Sequence, residues 1–115
     1  MTMKEQRDKE RRDIPKPDPL LVGGMRIEVV IWGKVRGLGQ NGGYIAAINP
    51  RTGQELWLLK VYDVDYSSGI ESDKADRFIQ AMRIVADDTI EVVAERGEVY
   101  RVNVSRQTSS RRFNA

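Results

Sequence analysis

Neither cysteine nor histidine occurs in the chain. The first absence removes disulfides and thiolate chemistry. The second removes Ser-His-Asp triads and imidazole general bases. Together they remove the usual zinc donors. An enzyme would have to work with carboxylates, Lys, Arg or Tyr alone, so we expect a protein that is not an enzyme and holds no metal and no cofactor. No apolar run approaches the ~18 residues of a transmembrane helix. The N-terminal MTMKEQRDKERRD is charged with no apolar segment behind it, unlike a signal peptide. We therefore expect a cytoplasmic protein without a membrane partner or an evident small-molecule ligand.

What is present suits one domain. The 115 residues are 40% apolar and 31% charged, an ordinary soluble balance with enough chain for a core. The net charge of +2 hides a division. Residues 1–13 hold five basic and four acidic side chains, and 105–115 hold Arg106, Arg111 and Arg112 with no acid. That leaves 11 basic and 13 acidic side chains for 14–104. Within this body, residues 20–51 carry Arg26, Lys34, Arg36 and Arg51 against Glu28 alone, whereas 63–98 carry ten acids against four bases. One half is basic and the other acidic.

Residues 1–19 read as a disordered charged arm, closed by a linker that Pro15, Pro17 and Pro19 hold extended. A single β domain is expected over 20–105, followed by a disordered basic tail over 106–115. Met25 to Arg36 alternates as one strand, with Met25, Ile27, Val29, Ile31 and Val35 on its buried face. Residues 42–63 form a hairpin: Tyr44–Ile48, an Asn49-Pro50-Arg51-Thr52-Gly53 turn, then Gln54–Tyr62. Both faces of that second arm are apolar, so we expect it to be central and covered on both sides. Residues 63–74 read as a loop. Residues 78–85 read as a strand, joined by a tight Asp87-Asp88 turn to a strand over 89–95. The alternative is a helix at about 72–86, because Ala75, Phe78, Ile79, Met82 and Val85 also fall at helical spacing. Val99 to Val104 is the last strand, with Tyr100, Val102 and Val104 inward.

The expected fold is mainly β, a small antiparallel barrel or sandwich of five to six strands. An α+β fold is the alternative if the helix forms.

The run Gly43-Tyr44-Ile45-Ala46-Ala47-Ile48-Asn49-Pro50-Arg51-Thr52-Gly53-Gln54-Glu55-Leu56-Trp57 resembles a blade repeat of the quinoprotein-type β-propellers. Residues 97–103 are similar to the start of the same repeat. The resemblance implies the hairpin geometry and no quinone-site residue. A propeller needs roughly four to eight four-stranded blades, more than this chain can supply.

Two motif-like stretches fail on their context. Gly37-x-Gly39-x-x-Gly42, with Asp63 downstream, matches a dinucleotide fingerprint, but Tyr44–Ile48 and Pro50 leave no room for the required helix. Asp63-x-Asp65-x-Ser67 has Ser68 and Lys74 where a calcium loop needs Gly and Glu. Trp32 is more informative. By parity it lies on the polar face of the Met25–Arg36 strand, beside Lys34 and Arg36. An exposed Trp among basic residues suits a protein-binding hot spot or a nucleic-acid stacking surface. The alternative is that the sheet closes into a barrel, or a loop folds over it, and Trp32 is a second core. We therefore expect a non-enzymatic binding domain that works through a protein partner or self-association, with Trp32, Lys34, Arg36, Gln40 and Asn41 as its surface. Nucleic-acid binding through the basic N-terminal half and the Arg-containing tails is the alternative.

Overall fold

The computed structural model describes residues 14–66 and 75–112. Eight strands form two four-stranded antiparallel sheets. Sheet A holds β1 (Leu20–Val22), β2 (Met25–Val30), β3 (Tyr44–Ile48) and β4 (Glu55–Lys60) in that spatial order. Sheet B holds β5 (Ile79–Ala86), β6 (Thr89–Ala94), β7 (Val99–Asn103) and β8 (Thr108–Arg112), also in chain order. Each sheet is thus a simple meander, and neither closes into a barrel.

The inner faces share one core. Ile27, Ile45 and Ala47 of sheet A cluster with Ile79, Ile90, Val92 and Val102 of sheet B. Strand alternation explains the selection: these residues stand at every second position of their strands. Burial of that apolar area is what holds the layers together. At one side of the sandwich β1 lies against β5. At the other, Ser109 Oγ of β8 donates to Val61 O just past β4 at 2.7 Å.

The hairpin forms as its turn residues dictate. Asn49 Oδ1 accepts from Arg51 N at 2.9 Å, and Gly53 takes a φ of 76° while donating to Asn49 O at 2.8 Å. Residues 79–86 are strand, so the helix alternative is set aside for them, and Asp87-Asp88 makes the two-residue turn into β6. The part of that helix over 72–74 lies outside the described residues.

Four expectations need correction. Among the described residues there are eight strands, not five or six. The two additional ones are β1, three residues long, and β8, whose Thr-Ser-Ser-Arg-Arg has no apolar alternation. Pairing with β7 makes β8 a strand, so the domain runs past 105 and residues 108–112 are not a disordered tail. The Met25–Arg36 strand ends at Val30. Trp32 adopts φ 60° and ψ 46°, and Gly33–Arg36 winds into a 3-10 turn. Finally, β4 is an edge strand with an exposed outer face, and β3, buried at all five positions, is the covered one. Apolar residues on both faces of β4 do not imply cover on both faces. Residues 1–13 and 113–115, expected to be disordered, lie outside the described residues, as do 67–74 of the expected loop.

Candidate functional site

The segment from Trp32 to Gly43 decides what sheet A shows to its surroundings. Trp32, a large residue in the left-handed region, turns the chain off β2 at a backbone strain of roughly 1–3 kcal/mol. Its ring meets buried Phe78 edge-on, with centroids 5.6 Å apart. Gly33 then presses on the outer face of sheet A. A Cβ there would stand 2.8 Å from the Tyr44 ring and 2.3 Å from Gln40 O, so only glycine fits. Gly42 approaches the segment leading into β5 as closely: a Cβ there would sit 2.2 Å from Arg77 O.

Polar bonds lock this segment in place. Gln40 Nε2 donates to Gly42 O at 2.8 Å and Tyr62 O at 2.7 Å, and its Oε1 accepts from Val64 N at 2.9 Å. Asn41 Oδ1 accepts from Lys34 N, and Asn41 Nδ2 donates to Asp76 Oδ2 at 3.1 Å. Tyr66 Oη donates to the other Asp76 oxygen. Burial and that bond to Asp76 push the Tyr66 phenol up to about 12. Burial, above all, also pushes the Tyr62 phenol well above its ordinary value. Tyr62 stacks on Tyr100 at 4.9 Å and donates from Oη to Arg77 O at 2.8 Å, so it bridges the sheets.

The five expected surface residues therefore divide. Gln40 is buried and spent on backbone bonds; Asn41 is half-buried and holds Lys34 and Asp76. Trp32 is half-buried against Phe78, not set on a strand's polar face. Lys34 and Arg36 stand at the surface. The Lys34 ammonium lies 4.1 Å from the Tyr66 ring centroid, and Arg36 Nη2 contacts both Glu55 oxygens at 2.8–2.9 Å. The glycines of the apparent dinucleotide fingerprint lead into β3, not into a helix. Much of the calcium-like loop lies outside the described residues.

Beyond that segment the outer face of sheet A is unusually apolar. One cross-strand row runs Leu21, Arg26, Ile48, Glu55, with Leu56 beside Glu55 at the bulge; the next runs Glu28, Ala46, Leu58. An antiparallel sheet with one solvated face normally turns polar residues outward. Here Leu21 is 68% and Leu56 46% exposed, and Val35 of the covering segment is 62% exposed.

The outer face of sheet B has a charged row beside an apolar one (Ala81, Val93, Val99), and Ile84 and Val85 of β5 are also exposed. Sequence reasoning missed the charged centre. Glu91, on an interior strand, has a side chain only 3% exposed. Arg83 reaches its Oε1 at 2.5 Å; Arg112 and Arg101 reach Oε2 at 2.7 and 3.4 Å. The Arg83 guanidinium, above all, holds the Glu91 carboxyl below its usual range. The missed signal was parity: Arg83, Glu91 and Arg101 are register partners across three strands. Their registers become visible only once the turns are counted.

One shallower feature lies by the proline segment. A groove of about 230 Å³ separates the proline segment (Pro15, Pro17, Pro19) from Val29 and Ile31. Among the described residues no helix is long and apolar enough to cross a membrane, and no three acidic residues converge as a metal site. No family model, curated protein or solved structure matches the chain.

Proposed function

We propose that this domain is a non-enzymatic binding module of the cytoplasm that works by protein association, with a second copy of the chain as its first partner. One observation carries the proposal: Val35, Leu56 and Leu21 are exposed on or beside the outer face of sheet A, where a solvated sheet would carry polar side chains. Exposed apolar area of this kind gains free energy when a partner covers it. The rim has both charge signs, Arg26 and Arg36 paired with Glu28 and Glu55. A two-fold related copy then meets opposite charges without any change of sequence. Of the residues first expected to form the surface, Lys34 and Arg36 belong to this rim, while the Trp32 ring packs edge-on against Phe78.

Sedimentation velocity across a concentration series tests the proposal. The unaltered chain should shift from monomer to dimer, and Val35→Asp with Leu56→Lys should remain monomeric with an unchanged circular dichroism spectrum. A strictly monomeric unaltered chain, or a dimer that survives both substitutions, would overturn self-association through this face.

A further inference from the structure

We infer that the outer face of sheet B is a second binding surface, one that takes the phosphate backbone of a nucleic acid on Arg83, Arg101 and Arg112. Three guanidinium groups surround one carboxylate, so the cluster has an excess of two positive charges. Their side chains are 68%, 54% and 45% exposed, while Glu91 beneath them is 3% exposed. The acid is therefore spent from below and the cations face outward. Each guanidinium has five N–H donors, and the four bonds to Glu91 use a minority of them.

The spacing suits a chain of anions better than a single one. Arg83 stands on β5, Arg101 on β7 and Arg112 on β8. With neighbouring strands about 4.8 Å apart, the three span roughly 14 Å across the sheet. Arg106 at the β7–β8 turn and Asp87 and Asp88 at the β5–β6 turn share one end of the sheet, where Val104 N donates to Asp88 O at 2.8 Å. They offset one another, and the excess positive charge lies on the three arginines. Val99 and Ser110 stand beside the arginines, and among the described residues the register places no aromatic ring on this face to stack a base. Contact is therefore with the backbone and independent of sequence. The bidentate geometry of the guanidinium is suited to phosphate oxygens.

The test uses the full chain and a fluorescent single-stranded oligonucleotide of mixed sequence, about 15 nucleotides long. Titrations run between ~50 and ~200 mM salt. Binding should fall with salt at a log–log slope of about −2, as expected for three phosphate contacts on a single strand. Changing Arg83, Arg101 and Arg112 together to Gln should weaken binding ~10-fold or more at the low salt and flatten the slope by about 2. The single change Arg83→Gln, on an edge strand, gives a partial loss that can be read even if the triple variant unfolds. A polyglutamate of equal charge should bind far more weakly, and inorganic phosphate should compete only at high concentration. Three results would each overturn the inference: no binding at low salt, equal binding by polyglutamate, or variants whose affinity and slope match those of the unaltered chain. The last would place the contact on the N-terminal arm or the basic half of sheet A.

Discussion

Sheets A and B have the same topology and different exteriors, although Ile84 and Val85 of β5 are also exposed. Each is a four-stranded meander that turns aliphatic residues into one shared core. Outside, the row across sheet A reads Leu21, Arg26, Ile48, Glu55 with Leu56, and the row across sheet B reads Arg83, Glu91, Arg101, Ser110. Sheet A also has the Trp32–Gly43 segment folded onto its outer face, whereas the three arginines of sheet B stand open. Topology and inner packing are therefore not what separates the two layers; outward parity positions are. An apolar exterior needs a cover, supplied in part by the chain itself. A charged exterior needs counter-ions, supplied in part by Glu91.

The largest break in this comparison should come from placing the same charge on each exterior. Ala46 is 2% exposed on the outer face of sheet A. Ala46→Asp should lower stability by about 3 kcal/mol or more in chemical denaturation, as for a buried charge with no partner. Ser110→Asp, beside three arginines, should stay within about 0.5 kcal/mol of the unaltered chain. Equal losses would mean that both exteriors are equally covered. Removing residues 106–115 comes next. It deletes β8, the Ser109 bond to Val61 and one of the three partners of Glu91. A loss of about 2 kcal/mol is expected from the missing hydrogen bonds, and an unchanged melting curve would show that β8 contributes nothing.

That truncation also marks where the sequence stopped being informative. The mainly β class, the 44–60 hairpin and the Asp87-Asp88 turn were legible because period-two patterning and turn chemistry are local. The inner faces of β2 and β7 followed from the same alternation. Tyr100, Val102 and Val104 were expected inward; Val102 and Val104 are buried and Tyr100 packs against the core. β8 was not legible, since an edge strand held by backbone bonds needs no apolar pattern. Nor was the end of β2 at Val30: Ile31 and Val35 continue its alternation, and only the tertiary fit of Gly33 on Tyr44 turns the chain away. The site was legible only in part. Lys34 and Arg36 are at the surface, but Gln40 and Asn41 are polar residues consumed by internal bonds that no single-sequence pattern announces. Exposed Leu56 was masked because an apolar position in a strand is ordinarily assigned to a core.

Smaller effects sharpen the contrast at each sheet's polar anchor. Tyr66→Phe removes a donor from buried Asp76 and should cost about 1 kcal/mol. With the phenol at about 12 in the fold, above its free value, the unaltered chain gains stability from the retained proton. That gain is present below pH ~10 and fades as pH rises towards 12. Spectroscopic titration should find this tyrosine ionising late, and an ordinary midpoint for every tyrosine would contradict the buried latch. On sheet B the direction is opposite. The Glu91 carboxyl is held low, so its charge stabilises the fold above the ordinary glutamate range near ~4.3 and that support disappears as pH falls through its lowered value. Glu91→Gln should therefore be less stable at neutral pH and show a flatter decline in acid. Parallel curves for the two proteins would rule out Glu91 as the counter-ion of the three arginines.

The most direct measurement of the central claim is a backbone amide NMR spectrum followed from dilute to concentrated protein. Association through sheet A predicts concentration-dependent shifts confined to residues 20–22, 33–36 and 55–60, with Arg83, Arg101 and Arg112 unmoved. Shifts centred on sheet B, or none at any concentration, would contradict it.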